Sequence, residues 1–172
     1  GDAKTLPIPE EEEKNPISPY ALQKLIGEQY MDLYRKLYGV KGVALRYFNV
    51  FGERQENANG GYALVLSKFL DQHKKKEPFT IVGTGEQRRD FIHVYDVIDQ
   101  MMLMTSSKIH GEVFNCGSGK GVSINDLYDM ICQIIGKRIE PTRLKQQFEP
   151  DQTLADISKA EKFLDWKPKI DL

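Results

Sequence analysis

Apolar residues recur at three- and four-residue spacing early in the chain: Leu22, Leu25, Ile26, Tyr30, Leu33 and Leu37. At 3.6 residues per turn such positions stack on one face, so the pattern predicts an amphipathic helix. Ser18 suits its N-cap and Pro19 its first position, where a missing N–H costs nothing. Gly39 can take the left-handed conformation that ends it. Gly27, in the middle, points to close packing against a neighbour. Ahead of the helix, residues 1–17 carry Pro7, Pro9, Pro16 and the acidic run Glu10 to Glu13 without any period, and read as a connecting loop.

Behind it, residues 42–51 form a β-prone run closed by Gly52 and a polar stretch through Gly60-Gly61. A helix is expected over 62–75, a strand over 79–82, a turn at Gly83-Thr84-Gly85 and an extended piece over 90–93. A helix over 94–104 and a strand over 113–116, running into Gly117-Ser118-Gly119, come next. Ser123 with Asp126 three residues on is a capping-box pattern for a helix ending near Gly136. Ser158 with Glu161 repeats the device before a last short helix. Strands alternating with helices predict an α/β fold with parallel pairing, because a parallel partner needs a crossover connection.

Length and charge narrow the field. At 172 residues there is room for about one domain, or a domain and a fragment. Lys+Arg 24 against Asp+Glu 25 leaves no basic excess, which disfavours nucleic acid as a partner. No apolar run approaches the ~18 residues of a membrane span, and Gly1-Asp2-Ala3-Lys4 does not resemble a signal peptide. Cys116 and Cys132 lie too far apart for a CxxC motif, and the three histidines are scattered, so no metal site is expected. These features predict a reduced, cytoplasmic protein. Lys74-Lys75-Lys76 and Glu10 to Glu13 read as solvated surface charge.

Tyr20 and Lys24 carry the first candidate chemistry. At i and i+4 they share a helix face about 6 Å apart along the axis. A free phenol titrates near ~10, too high for a base at neutral pH, but a fixed ammonium nearby favours the phenolate. The pair could then take a proton from an alcohol. Equally, Tyr20 could be a packing residue and Lys24 a surface charge, and the spacing alone does not choose. Gly117-Ser118-Gly119-Lys120-Gly121 lacks the spacing of a phosphate-binding loop and reads as a tight strand-to-helix turn. His93 and Asp96 read as structural hydrogen-bonding residues.

The surrounding text breaks the tie. Ser18-Pro19-Tyr20-Ala21-x-x-Lys24 is followed by Leu45-Arg46-Tyr47-Phe48-Asn49-Val50-Phe51-Gly52. Next come Gly83-Thr84-Gly85-Glu86-Gln87-Arg88-Arg89-Asp90-Phe91-Ile92-His93-Val94 with Asp96-Val97, and then Val113-Phe114-Asn115-Cys116-Gly117-Ser118-Gly119. Ala155-Asp156-Ile157-Ser158-Lys159-Ala160 through Trp166-Lys167-Pro168 completes the series. Together these segments resemble the extended short-chain dehydrogenase/reductase family, specifically its NAD-dependent nucleotide-sugar epimerases and dehydratases.

The resemblance implies the C-terminal part of a Rossmann-type parallel-sheet domain plus a small α/β substrate-binding domain. The family's N-terminal Gly-rich cofactor half is absent from this sequence. Residues 1–53 would finish the NAD-binding domain, and 54–172 would form mainly the substrate domain, with some segments returning to the Rossmann sheet. Gly1-Asp2 resembles the tail of the family's Ser-Ser-x-x-Tyr-Gly segment, which would put the catalytic Ser or Thr just upstream. The chain is thus expected to be part of a longer enzyme and inactive alone.

By the same resemblance Tyr20 is the acid/base acting on the sugar 4-hydroxyl, with Lys24 lowering its pKa and holding the cofactor ribose. Tyr47 lies against the nicotinamide and Phe48 against the sugar. Asn49 and Arg89 contact the substrate diphosphate, and Thr80 and Val82 border the nucleotide base. A second diphosphate Arg, in the family's Arg-x-Gly-Asp segment, is missing from Phe148-Glu149-Pro150-Asp151; Arg143 is a candidate replacement that the spacing does not establish. Thr153 would face the sugar C2 substituent, and its small size favours N-acetylhexosamines. The activity implied is NAD-dependent C4 epimerisation of a UDP-hexose, in a protein that is a homodimer when full length. A nucleotide-sugar 4,6-dehydratase, or a non-catalytic nucleotide-sugar-binding fragment, are the alternatives.

Overall fold

Helix α1 spans Pro19–Tyr38, and both its ends obey the local chemistry. The Ser18 hydroxyl accepts the Ala21 N–H, and Gly39, at φ 67°, returns its own N–H to the Arg35 carbonyl. The structure is a computed structural model that describes residues 3–55, 64–146 and 149–172. Gly1-Asp2, the Gly60-Gly61 stretch, the predicted helix start at residue 62, and Phe148 lie outside the described residues.

The 42–51 run divides at Phe48 into β1 (Ala44–Tyr47) and β2 (Asn49–Phe51). The break hands the chain from one sheet to another. Strand β1 pairs with β5 (Val113–Cys116), whereas β2 pairs with β4 (Arg88–His93). Between them come α2 (Val65–Lys75), β3 (Thr80–Val82) and α3 (Val94–Ser106). The remaining elements are β6 (Gly121–Ser123), α4 (Ile124–Ile135), β7 (Thr142–Leu144), β8 (Gln152–Thr153) and α5 (Ser158–Leu164). Pairing is parallel for β1–β5, β2–β4, β3–β7 and β4–β8, and antiparallel for β4–β6.

Strand alternation explains how so short a chain builds two apolar cores. In β4, Phe91 enters a cluster with Phe69, Phe79, Ile81, Leu127 and Tyr128, while Ile92 enters another with Phe114, Cys116, Ala160 and Trp166. The adjacent strand repeats this, with Phe51 packed on the first cluster and Val50 on the second. Because successive side chains point to opposite faces, β2 and β4 form the wall shared by both cores.

Three expectations need correcting. The Ser123–Asp126 capping box is present, but Ser158 is not a cap. The cap position of α5 is Ile157, and the Ser158 N–H donates to the Asp156 carboxylate instead. The Asp side chain sets the chain into a turn before the Ser hydroxyl can act. Glu10 is not solvated. It is 6% exposed, and its Oε1 accepts the Asn115 N–H at 2.8 Å. That contact ties the first loop to β5, because a strand N–H facing away from β1 needs an acceptor. Gly27 has nothing within 4 Å of where a Cβ would stand, and α1 buries none of its residues. Within the described chain the glycine packs against no neighbour.

Candidate active site

Capping by Ser18 starts α1 so that Tyr20 falls in the first turn and Lys24 one turn on. Lys24 Nζ lies 5.1 Å from the centroid of the Tyr20 ring, over its face. Tyr20 is 49% exposed, so the pair is open to a ligand. Two residues that the sequence reading passed over fix this helix. Arg46, on β1, grips Glu28 with both arms, Nε to Oε1 and Nη2 to Oε2, each at 2.7 Å. Its Nη1 donates to the Glu10 carbonyl at 2.8 Å. Glu28 stands one turn beyond Lys24, so the bidentate pair sets both the rotation and the height of the Tyr–Lys face over β1. The available signal was an Arg inside a β-prone run.

Tyr47 ends β1, half-exposed, with its hydroxyl directed at Met101 Sδ at 3.5 Å. Partial burial, and then the Cys116 thiol, push its phenol above the ordinary range, so Tyr47 stays protonated and is no base. The following residue, Phe48, donates its N–H to the Cys116 carbonyl and is partly buried.

Asn49, Arg89 and Thr153, far apart in sequence, are brought together along β4. The organiser is Asp90, fully buried. Its Oδ1 accepts from the Ser118 N–H at 2.6 Å and the Ser118 hydroxyl at 2.7 Å. Its Oδ2 accepts from the N–H groups of Gly119 and Ala155, both at 3.0 Å. The 117–119 turn is thus an anion nest, but one filled by the chain's own carboxylate, which agrees with reading it as a turn and not a phosphate loop. The Asp90 carbonyl in turn accepts from Asn49 Nδ2 at 3.1 Å. Ala155 follows β8, where Thr153 pairs with Arg89. Asp90 thus sits among three of the residues expected to meet substrate: its carbonyl holds Asn49, Arg89 precedes it on β4, and its carboxylate holds Ala155, just after the Thr153 that pairs with Arg89. The sequence reading used Asp90 only to locate Arg89, since its partners lie 28 to 65 residues away.

Arg89 is engaged and shielded. Its Nη2 donates to Glu149 Oε2 at 2.7 Å and its Nη1 to the Arg88 carbonyl at 2.9 Å, leaving the side chain 12% exposed. Arg88, on the alternate side of the strand, donates to the Gly121 carbonyl. Thr153 Oγ1 is buried with no hydrogen-bond partner among the described residues. Arg143, the candidate for the missing Arg, lies at the turn after β3. Its Nη1 donates to the Thr84 carbonyl at 2.7 Å, because the turn after β3 leaves that carbonyl unpaired by any strand. Thr80 exchanges two hydrogen bonds with the Gln72 amide, and the Val82 carbonyl accepts from Gln87 Nε2. Both are thus held by glutamines, Gln72 of α2 and Gln87 just before β4.

His93 and Asp96 act structurally. His93 Nδ1 accepts the Tyr95 N–H at the start of α3, and Asp96 accepts the N–H groups of Lys169 and Ile170, anchoring the C-terminal segment. Among the described residues no cluster of His, Cys, Asp and Glu could hold a metal ion, and no helix is long and apolar enough to cross a membrane.

Residues 1–117 match the sequence model of the NAD dependent epimerase/dehydratase family. A curated relative from Methanocaldococcus jannaschii, provisionally named a UDP-glucose 4-epimerase, is 43% identical over 173 residues. The match takes in all of this chain and 55% of the relative. Among solved structures, a UDP-N-acetylglucosamine 4-epimerase from Methanobrevibacter ruminantium in complex with UDP-N-acetylmuramic acid superposes with a TM-score of 0.92 at 38% identity. That superposition covers 99% of this chain and 55% of the other. A UDP-glucuronic acid 4-epimerase from Bacillus cereus, solved with UDP-glucuronic acid and NAD, gives 0.87 at 35% identity, covering 99% and 54%. The chain spans about half the length of the relatives it matches.

Proposed function

The chain belongs to the NAD dependent epimerase/dehydratase family, and from that premise we propose that it carries the acid/base and substrate-holding residues of a UDP-hexose 4-epimerase. The observation that carries this reading is the neighbourhood of Asp90, where Asn49 on β2, Arg89 on β4 and Thr153 on β8 come together. The exposed Tyr20–Lys24 face stands on a helix locked to the neighbouring sheet. Residues 1–53 belong to the cofactor side of this division and 54–172 mainly to the substrate side.

The residues present fit one end of NAD. The Lys24 ammonium and the Tyr20 hydroxyl, exposed on one helix face, are the donors that a ribose diol requires. For the pyrophosphate the described residues offer no free nest, because the amides of Ser118 and Gly119 are committed to Asp90. The chain spans about half the length of its relatives, and the activity proposed is that of the longer enzyme. When bound, NAD supplies the acceptor that makes the sugar C4 oxidisable.

Tyr20 takes the proton of the 4-hydroxyl, and the ammonium of Lys24 over its ring favours the phenolate during that transfer. After the 4-keto sugar turns over, Tyr20 returns the proton to the new hydroxyl. Asn49 and Arg89 hold the diphosphate, so the nucleotide stays fixed while the sugar rotates. Phe48 and Tyr47 supply the apolar wall beside the reacting ring, and Thr80 and Val82 border the base. Thr153, a small side chain, is the residue that accommodates an N-acetyl group at C2.

The test is epimerase activity in the whole protein supplied with NAD and UDP-galactose or its N-acetylated form. Tyr20→Phe should lower kcat by about 10²- to 10⁴-fold, and unchanged turnover would refute the assignment. Thr153→Tyr should remove activity on the N-acetylated sugar and spare the simple hexose. Equal activity on both would refute the C2 assignment.

A further inference from the structure

Arg89 already holds an anion, and it comes from the chain itself. The Glu149 carboxylate accepts from Arg89 Nη2 at 2.7 Å through Oε2 and from Gln87 Nε2 at 3.2 Å through Oε1. Gln87 immediately precedes β4 and Arg89 is its second residue, and both reach the same carboxylate. Both are shielded, with the Arg89 side chain 12% and Gln87 8% exposed. Each is also held from behind. Gln87 Nε2 donates to the Val82 carbonyl at 3.0 Å, and Arg89 Nη1 donates to the Arg88 carbonyl. A pre-aimed guanidinium with a fixed amide beside it is a two-point cradle for an oxyanion. Its occupant lies outside any strand, in the connection between β7 and β8, and is 34% exposed.

We propose that Glu149 is an internal stand-in for the substrate diphosphate: it fills the Gln87–Arg89 cradle in the free protein, is displaced when a nucleoside diphosphate binds, and so sets the affinity of that site. The inference rests on the reading that Arg89 holds the diphosphate, and it adds Gln87 as a second donor to that group. A diphosphate seated on these donors stands against the Glu149 carboxylate, and the repulsion between the two anions breaks the Glu149 contact as the new one forms. Phosphate oxygens carry more charge than one carboxylate and win the exchange, while the lost pair lowers the net affinity. The sequence gap noted above gains a second meaning: a segment lacking the expected Arg instead contributes a competing carboxylate.

The experiment is calorimetric titration of UDP, and separately of uridine, into the whole protein and its variants, with thermal melts to confirm folding. Glu149→Ala and Glu149→Gln should each tighten UDP by about two- to fivefold, the scale of a part-exposed ion pair. Uridine, which carries no anion, should bind all three proteins alike. Arg89→Met should weaken UDP and leave uridine unchanged. If Arg89→Met weakens UDP but neither Glu149 variant tightens it, the stand-in idea falls and the diphosphate reading survives. Tightening of uridine to the same extent would assign Glu149 to loop packing and also overturn the proposal. UDP binding indifferent to Arg89→Met, or undetectable in both the parent protein and Glu149→Ala, overturns the diphosphate reading and this inference with it.

Discussion

Asp90 concentrates more structure in one side chain than any other described residue near the site. Four donors converge on a carboxylate with no exposed surface. Asp90→Asn keeps the volume but turns one oxygen into a donor facing backbone N–H groups, leaving polar groups unmatched in the interior. The expected loss is about 3 kcal/mol in urea melts, the scale of a broken buried charge contact, and a loss within experimental error would disprove the hub. Cys116 offers a second check. Burial, then Asp90 and Asp96, pushes its thiol up to about 12. At pH 8 the folded thiol is therefore neutral, and iodoacetamide should label Cys116 only after denaturant is added. Because the unfolded thiol ionises first, this group costs nothing below the ordinary thiol range. Above that range stability falls as pH rises toward the folded value. Motif order singled out Tyr20, Lys24, Asn49 and Arg89 as candidates one residue at a time. Their shared support was not legible, since hydrogen bonds across the chain leave no local pattern.

Helix α1 shows how far an element can be read from local rules and where they stop. Cap, period and C-terminal glycine placed its ends correctly, because each acts within one turn of chain. Its docking rests on Arg46 and Glu28, 18 residues apart and half-buried. Arg46→Met should loosen the helix from β1, so hydrogen exchange in 19–38 should accelerate while the 88–93 amides keep their protection. Uniform exchange across both segments would contradict this docking role. The strands β6, β7 and β8 went unread for a different reason. At two or three residues they are too short to show alternation, and the neighbours that make them strands lie elsewhere in the sequence.

At the scale of the whole molecule, two cores share one wall and one face stays bare. Leu22, Ile26, Tyr30, Leu33 and Leu37 of α1 are all more than a third exposed, and β1 has β5 on one side only among the described residues. Apolar stripes of this size seldom stay solvated. The isolated chain should therefore self-associate, giving a sedimentation coefficient that rises with concentration. Leu33→Lys with Leu37→Glu should reduce the effect, and concentration-independent monomers would show that the stripe is tolerated in water.

By itself the sequence determined the elements whose causes are local: caps, periods, turns, and the ordered motifs that mark family and chemistry. Folding alone decided which carboxylates were buried, as Glu10 and Asp90 are, and which remained in water. It also decided that Glu149 would meet Arg89 and that, among the described residues, nothing would cover the amphipathic face of α1. The division has one physical source. Helix and turn preferences are set within a few residues, whereas burial and charge pairing depend on which distant segments the sheet brings within hydrogen-bond reach.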